Sequence, residues 1–328
     1  MATKKKTETE PKKRKPKSKR LGWFGLVISV IWVVLIGFVA PAMSANSPLT
    51  LTGIVPPLLL ASLPVFFFLT CIIGRGRLWL YHLIPLGLTP FLILDTAVGN
   101  PLANADNTLN VMTLNTHGGQ IDYNELAAYV NENDIRVLFL EETNGIHGDV
   151  SDTVLKYLKD WHVTKGRECA ILTKAPHGDP SVKKVPGKLN REVVSVKLLG
   201  TTLAAMHWPA PQVKVRPDKI MSRLEESDAE RVPWRQESTA LAERNSSIVL
   251  AGDFNTPARH PDYALLSKHY ENAFGKAGLG TGWTYSFYGQ PAIRIDHIWS
   301  RGFTAQKAWV GPSFGSDHFS VVAKLKQN

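Results

Sequence analysis

The first 98 residues contain three long uncharged runs, and these constrain the chain more than any other feature. Residues 21–43 form a run of 23 residues with no charge. About 20 apolar residues suffice to cross a bilayer core. The apolar region of a cleaved signal peptide is shorter and is not usually followed by more spans. Residues 49–73 form a second uncharged run, interrupted by Pro56, Pro57 and Pro64, and 78–98 a third, carrying His82 and Asp95. Proline is tolerated in membrane helices because neighbours re-satisfy the backbone. The sequence therefore predicts three transmembrane helices, at about 21–43, 49–73 and 78–98. Asp95 is placed at the interfacial end of the third.

Charge sets the expected orientation. Residues 1–20 carry ten Lys/Arg and two Glu, segment 21–98 has Arg75 and Arg77 against Asp95, and 99–328 has 26 Lys/Arg and 25 Asp/Glu. Nearly all of the formal +10 thus lies in the N-terminal tail, which has no apolar residue to seed a core and reads as disordered. The loop at 44–48 has no basic residue and the loop at 74–77 has two arginines. The positive-inside rule then puts the tail and the 74–77 loop in the cytoplasm. Three crossings leave everything after residue 99 on the outer side of the membrane. A two-span hairpin with one re-entrant segment is the alternative, and it would leave that part inside. Two cysteines, Cys71 and Cys169, exclude a disulfide scaffold and a Cys-rich zinc or iron–sulfur module.

Residues 99–108 read as a Gly/Pro/Asn-rich linker. From 109 to 328 the pattern turns to short buried strands and amphipathic helices, enough for one α/β core. Strands are expected at 109–114, 137–140, 169–173, 192–198, 202–207, 248–250, 295–299 and 320–326, and helices at 122–133, 151–160 and 233–245. Polar residues stand where the apolar strands stop: Asn115, Glu141 and Glu142, His207, Asp253 and Asn255, Asp296 and His297, Asp317 and His318. Each alone has a bland reading, as a solvated carboxylate or a structural histidine. Together they suit phosphate chemistry. Hard cations such as Mg²⁺ take carboxylate and amide oxygens, which Asn115, Glu142 and Asp317 supply. Zinc is the other metal the His/carboxylate set suggests, but no HExxH or similar spacing is present. Hydrolysis of a phosphate ester needs a positioned water, a base, charge stabilisation and a proton for the leaving group. No Walker A loop, GxGxxG or GxSxG is present.

The ordered set Val-Met-Thr-Leu-Asn115, Leu-Phe-Leu-Glu-Glu142, Ala-Met-His207, Gly-Asp253-Phe-Asn255, Arg294-Ile-Asp296-His and Ser-Asp317-His318 resembles the endonuclease/exonuclease/phosphatase superfamily. That superfamily includes pancreatic deoxyribonuclease, apurinic endonucleases, inositol polyphosphate 5-phosphatases and bacterial sphingomyelinases. The resemblance covers about 107–328. It implies a four-layered α/β sandwich, two packed mixed sheets flanked by helices, and Mg²⁺- or Mn²⁺-dependent phosphoester hydrolysis. By the same likeness, Asn115, Glu142 and Asp317 are metal-site residues. Asp253 is the residue acting on water, Asn255 holds phosphate, and His318 contacts phosphate supported by Asp296. His207 stands near the leaving group with Glu168 as its partner, and Arg294 matches many relatives. Glu141 departs from the usual glutamine and is expected to add negative charge. His117, and Phe319 with Ser320, are further departures. The layout also resembles a bacterial membrane-anchored subgroup that includes teicoplanin-resistance membrane proteins.

The substrate stays open among nucleic acid, lipid and soluble phosphates. A near-neutral outer domain lacks the basic field on which nuclease binding rests, although Lys183, Lys184, Lys188 and Arg191, and Lys214, Arg216, Lys219 and Arg223, form local clusters. Tethering favours membrane lipids and a lipid-linked phosphate ester by effective concentration. Trp208, Trp234, Trp283, Tyr285, Phe287 and Tyr288 are expected in loops, able to touch lipid or stack on bases. A membrane-tethered nuclease is the second reading and a non-catalytic scaffold the third.

Overall fold

A computed structural model describes residues 17–43, 47, 55–73, 78–94, 96–99, 107–145, 148–211 and 219–328. The 44–48 and 74–77 loops lie largely or wholly outside this set, as do Asp95, Lys214, Arg216, most of the linker and residues 1–16 of the expected tail.

Helix α1 spans Lys17–Val34 and continues through a π-turn at Leu35–Val39 into Ala40–Ala42. The tail therefore becomes helical at Lys17, three residues before residue 20. Helix α2 is Pro57–Ile73 and α3 is Trp79–Leu92. Among the described residues one helix is long and apolar enough to cross a membrane, over Gly22–Val39. This corrects the expectation of three full spans. α2 and α3 have 17 and 14 residues, short of the ~20 that a straight crossing needs. An uncharged run is not a helix throughout: α2 starts only at Pro57, where a missing N–H costs nothing. Residues Ala97–Val98, expected to end the third span, instead form a strand against Leu279–Gly280.

The three helices pack on one another around Val33, Ile36, Leu60, Ala61 and Ile93. Gly25 allows the contact, since a Cβ there would lie 2.6 Å from the Phe67 ring. Trp32 donates its indole N–H to Leu60 O at 2.9 Å. Their outer faces carry exposed Phe24, Ile31, Phe38, Leu59, Phe66 and Ile84.

Two six-stranded sheets form the rest. In chain order the strands of the first are β1 (Leu109–Asn115), β2 (Val137–Glu141), β3 (His162–Lys165) and β4 (Cys169–Thr173). Those of the second are β5 (Gly178–Lys184), β6 (Glu192–Leu198), β7 (Thr201–His207), β8 (Ile248–Asp253) and β9 (Glu271–Asn272). A hairpin of β10 (Tyr285–Phe287) and β11 (Gln290–Ile293) stands apart. β12 (Asp296–Arg301) joins the second sheet, and β13 (Phe303–Val310) and β14 (Val321–Gln327) join the first. The orders are β13-β14-β1-β2-β4-β3 and β9-β12-β8-β7-β6-β5.

Alternation along the strands builds the layers. Val111, Val137, Phe139, Leu203, Ala205, Val249 and Ala251 point between the sheets. Met112, Leu114, Leu138 and Leu140 point outward onto α4 (Tyr123–Glu132) and α5 (Val150–Tyr157). Ala204, Met206, Ile248 and Leu250 point the other way, onto α6 (Ile220–Arg244). Strands buried on both faces read as continuous apolar runs. The result is an α/β fold of two mixed sheets flanked by helices.

Several expectations are corrected here. Helix α6 begins at Ile220 and passes through Pro233, which was read as its start. Strands β3, β5, β13 and the β10–β11 hairpin carry too few apolar residues, or too irregular an alternation, to have been read. Trp208, in the loop just past β7, and Trp234, on α6 itself and not in a loop, are both buried in the core. Asp122 caps α4 by accepting from the N–H groups of Asn124 and Glu125, satisfying two of the helix's free donors.

Candidate active site

Each central parallel pair of strands delivers polar residues to one edge of the sandwich. Asn115 lies opposite Glu141 at the end of β1 and β2. His207 lies opposite Asp253 at the end of β7 and β8, and Asp253 opposite Asp296 on β12. Gly252 makes that approach feasible: its φ is +144, and a Cβ would fall 1.9 Å from Met206 O. Just past the strand ends, Glu142 (φ 53) and Asn255 (φ 48) both hold the left-handed conformation. Side chains other than glycine pay for that geometry, and such residues cluster at functional sites.

Asp253 is the hub. It is 2% exposed. Its Oδ1 accepts from the Asn255 N–H at 2.8 Å and its Oδ2 from Asn115 Nδ2 at 3.2 Å. The same amide donates to Glu142 Oε1 at 3.1 Å, so one neutral group bridges two carboxylates. The Asn115 oxygen is fixed by the His117 N–H at 3.0 Å. His207 Nε2 lies 3.6 Å from Asp253 and 3.9 Å from Glu142, and its Nδ1 lies 3.4 Å from Glu168. His318 faces Asp253 at 3.9 Å through Nε2 and bonds Asp296 at 2.9 Å through Nδ1. The Asp296 N–H is held by the Thr284 hydroxyl at 3.1 Å.

The electrostatics follow. Burial alone would lower the His318 pKa, but Asp296, Asp253 and Asp317 outweigh it and push it up to about 10. His318 is an imidazolium at neutral pH. Asp253 is raised above the ordinary aspartate value by burial and by Asp296, opposed by His318 and His207. Glu168 is lowered by His207 and Arg191 against its own burial.

Of the predicted residues, Glu142, His207, Asp253, Asn255, Asp317 and His318 line one cavity of about 540 Å³. Asn115, Asp296 and Glu168 sit directly behind it through the contacts above. Asp317 stands at the rim with His117 Nδ1 at 3.3 Å. Arg294 does not join them: its guanidinium lies 4.9 Å over the Phe274 ring, and it does not line the cavity. His297 also faces away, onto Thr256 O at 2.8 Å, and burial and Arg294 lower its pKa to about 3.

Glu141 does not line the cavity. It is fully buried, with Oε1 accepting from the Thr113 hydroxyl at 2.9 Å. Burial, then Asp296, raises its pKa well above the usual value, so its charged form is disfavoured. Replacing it by the isosteric amide is therefore expected to be mild. Glu141→Gln keeps turnover within about threefold of the parent and does not lower the melting temperature, because the side chain's shape is kept and a disfavoured charge is removed. The raised pKa means the acid's stability contribution is complete below its unfolded value and fades as pH rises through its folded one. The glutamine variant gains on the parent as pH rises above the unfolded glutamate value, read by thermal melting across pH.

Two arginines at the site have no strand-end signal. Arg191 lines the cavity and donates to His207 O and Trp208 O at 3.2 and 2.8 Å, with Glu168 2.8 Å from its Nε. It was counted only as a loop charge. Arg231, on α6, is buried and donates to Asp262, Pro209 O, Phe254 O and the Thr256 hydroxyl, fixing the turn after Asp253.

The donor set fits a hard cation. Glu142, Asp253 and Asp317 offer carboxylate oxygens, and the Asn115 amide bridges two of them through Nδ2, its own oxygen being held by the His117 N–H. Asp253, Asp296 and His318 also present atoms within 4.8 Å of one another, but a charged His318 makes that group an ion pair and not a set of free ligands.

Residues 112–318 match the family model described as "Endonuclease/Exonuclease/phosphatase family". No curated protein matches the chain in sequence. Solved structures share the fold. A 3′-5′ exonuclease of Neisseria meningitidis has a TM-score of 0.55 at 15% identity, covering 65% of this chain and 98% of that one. A family protein from Bacteroides thetaiotaomicron gives 0.52 at 16%, covering 68% and 98%. An AP endonuclease from Archaeoglobus fulgidus gives 0.52 at 16%, covering 66% and 98%. The match to the family model spans well over half of the chain, in the part that carries every strand-end group described above, and the chain belongs to the endonuclease/exonuclease/phosphatase family.

Proposed function

We propose that this protein is a divalent-metal-dependent phosphoesterase, anchored by its N-terminal helices, that hydrolyses a lipid-linked or envelope phosphate ester at the outer face of the plasma membrane. The observation that carries the reaction class is Asp253, buried between an imidazolium and a second histidine and tied by Asn115 to a carboxylate. Asn115, Glu142 and Asp317 would hold Mg²⁺ or Mn²⁺, which supplies Lewis-acid stabilisation of phosphate charge. Asp253 orients the attacking water and takes its proton, its raised pKa making it the stronger base. His318, held by Asp296, and Asn255 bind the phosphate oxygens. His207, oriented by Glu168, delivers the proton to the departing ester oxygen. A P–O bond forms to water as the P–O ester bond breaks.

The anchoring and the lipid substrate rest on the apolar exposed faces of α1 to α3 and on the charge of the domain. The cytoplasmic N-terminus and the outer domain follow from the basic residues ahead of α1, which hold that end inside while α1 crosses. The nuclease reading draws on the exonuclease and AP endonuclease folds above and on a Neisseria 3′ phosphatase described as bound to a product DNA hairpin. Against it, four of the eight residues in the local basic clusters are paired with carboxylates: Lys183 with Glu237, Lys188 with Glu230, Arg191 with Glu168 and Arg223 with Glu226. Paired cations release few counterions from a nucleic acid.

The test is Mg²⁺-dependent cleavage by the full-length protein in detergent, on matched panels of DNA and of phospholipids and polyprenyl pyrophosphates. Hydrolysis of lipid phosphate but not DNA is the expected result, abolished by EDTA and by His318→Ala. Cleavage of DNA alone makes the protein a tethered nuclease. A reporter fused at the C-terminus, active only when outside the cytoplasm, checks the orientation.

A further inference from the structure

One wall of the catalytic cavity does not come from the sandwich. Pro56, the residue before α2, lines it beside Phe287, Ala292 and Ile293, and α2 touches β11. Arg259 ties that wall in place. It follows Asn255 by four residues and is 4% exposed. It donates Nη1 to Ile93 O and Nη2 to Val55 O, the latter at 3.3 Å. Ile93 is the C-cap of α3, where free carbonyls carry the negative end of the helix dipole. Val55 precedes Pro56 directly. One guanidinium thus joins the C-terminal end of α3 and the approach to α2 to the loop that carries Asn255.

The β10–β11 hairpin forms the lip beside it, through Phe287, Ala292 and Ile293. Its two-residue turn, Tyr288 and Gly289, has φ of 51 and 76. Such a turn favours asparagine, aspartate or glycine at its first position. Tyrosine stands there instead, 92% exposed, packed edge-on at 4.6 Å against Phe287, and Phe287 lines the cavity. Tyrosine is suited to a membrane–water boundary, with an apolar ring and a polar tip.

We propose that the gap between Pro56 and the hairpin tip is the entrance for the phosphate ester of a bilayer-embedded amphiphile. Arg259 clamps the apolar helices so that the cavity opens at the membrane boundary, and Tyr288 seats in the interface beside the opening. The proposal rests on the phosphoesterase reading above and adds the route and the positioning residue. A water-soluble ester needs neither lip.

The experiment compares two forms of one headgroup in the full-length protein reconstituted in phosphatidylcholine vesicles. Phosphatidylglycerol and a polyprenyl pyrophosphate are supplied embedded in the vesicles, and short-chain analogues of both are supplied dissolved below micelle formation. The ratio of embedded to dissolved turnover is the readout. Arg259→Met is expected to lower this ratio at least tenfold. A loss of fold would instead lower both rates together. Tyr288→Asn, which relieves the turn and cannot unfold the core, is expected to lower the ratio about fivefold with the dissolved rate within twofold of the parent. An unchanged ratio in Tyr288→Asn, or in a folded Arg259→Met, overturns the entrance. So does a parent protein that hydrolyses the dissolved form and not the embedded one. A parent silent on both forms while cleaving DNA overturns the lipid reading itself, and the entrance falls with it.

Discussion

Asp253→Asn lowers phosphoester turnover by about 10³–10⁴-fold, the range a general base contributes with its positioning, while the melting temperature holds or rises. The substitution keeps the shape of the side chain and one acceptor for the Asn255 N–H. What it removes is the negative charge that takes the proton from water, together with the second acceptor, which Asn115 Nδ2 uses. The same charge is costly to the fold, because Asp253 is buried, and Asp296 nearby raises its pKa further. A carboxyl whose folded pKa is raised contributes fully to stability below its unfolded pKa and loses that contribution as pH rises through the folded one. The asparagine variant lacks this penalty and gains on the parent as pH rises from 4 towards neutrality. The gain is partial, since His318 and His207 lose an attractive neighbour. Steady-state kinetics with saturating Mg²⁺ and melting curves across pH check both halves. Parallel loss of activity and stability sinks the assignment of Asp253 to chemistry, because it makes the residue a structural anchor only.

The strand ends were legible because their signal is local. A run such as Val-Met-Thr-Leu before Asn115, or Ile-Val-Leu-Ala before Gly252 and Asp253, can only be a strand buried on both faces, and the first polar residue after it must surface at the edge. That logic located Asn115, Glu142, His207 and Asp253 without knowledge of pairing, while Asp296 and His318, which stand at or before the start of their strands, were marked by the motif resemblance. Arg191 and Arg231 carry no such mark. Arg231 sits in a segment of α6 with charges on most sides, and Pro233 beside it reads as a helix start. What selects it is the distant arrival of Asp262, Phe254 O and Pro209 O around one guanidinium. Glu141 and Glu142 show the other limit. They are identical letters at successive positions, yet β2 buries the first in a dry interior, while the second, past the strand end in the left-handed conformation, turns into the cavity. The apolar runs overstated the helices for a related reason. Absence of charge permits a span but does not say where the backbone is helical, and α2 begins only at Pro57 within an uncharged run that starts at residue 49.

Arg231→Met destabilises the protein by about 2–3 kcal/mol, the loss of a charged hydrogen bond to a buried carboxylate that keeps Arg235 as its second partner. The carboxylate is Asp262, 2% exposed, whose Oδ2 receives Arg231 Nε at 2.7 Å and whose Oδ1 receives Arg235 Nε at 2.5 Å. Burial would raise the Asp262 pKa, but Arg231, His260 and Arg235 outweigh it and hold it at about 2. A depressed carboxyl stabilises the fold above its unfolded value near 3.8 and loses that contribution as pH falls through its folded one. The destabilisation by Arg231→Met is therefore largest above pH 4 and shrinks towards pH 2, where the parent has lost the same interaction. Arg231→Lys keeps the charge but not the fork that reaches Asp262, Phe254 O and Thr256 together, and it recovers part of the stability. Activity separates packing from positioning. The turn from Phe254 to Thr256 presents Asn255 to the cavity, and Arg231 grips that turn at Phe254 O and Thr256 Oγ1. In the lysine variant, assayed well below its melting temperature, KM for the phosphoester rises by about tenfold, which corresponds to 1.4 kcal/mol of lost phosphate binding. At the same time the pH dependence of kcat, set by Asp253 and the histidines, keeps its shape. Chemical denaturation from pH 2 to 8 and a kinetic pH profile of the two variants measure these effects. A lysine variant with normal KM sinks the positioning role and leaves Arg231 a stability residue alone.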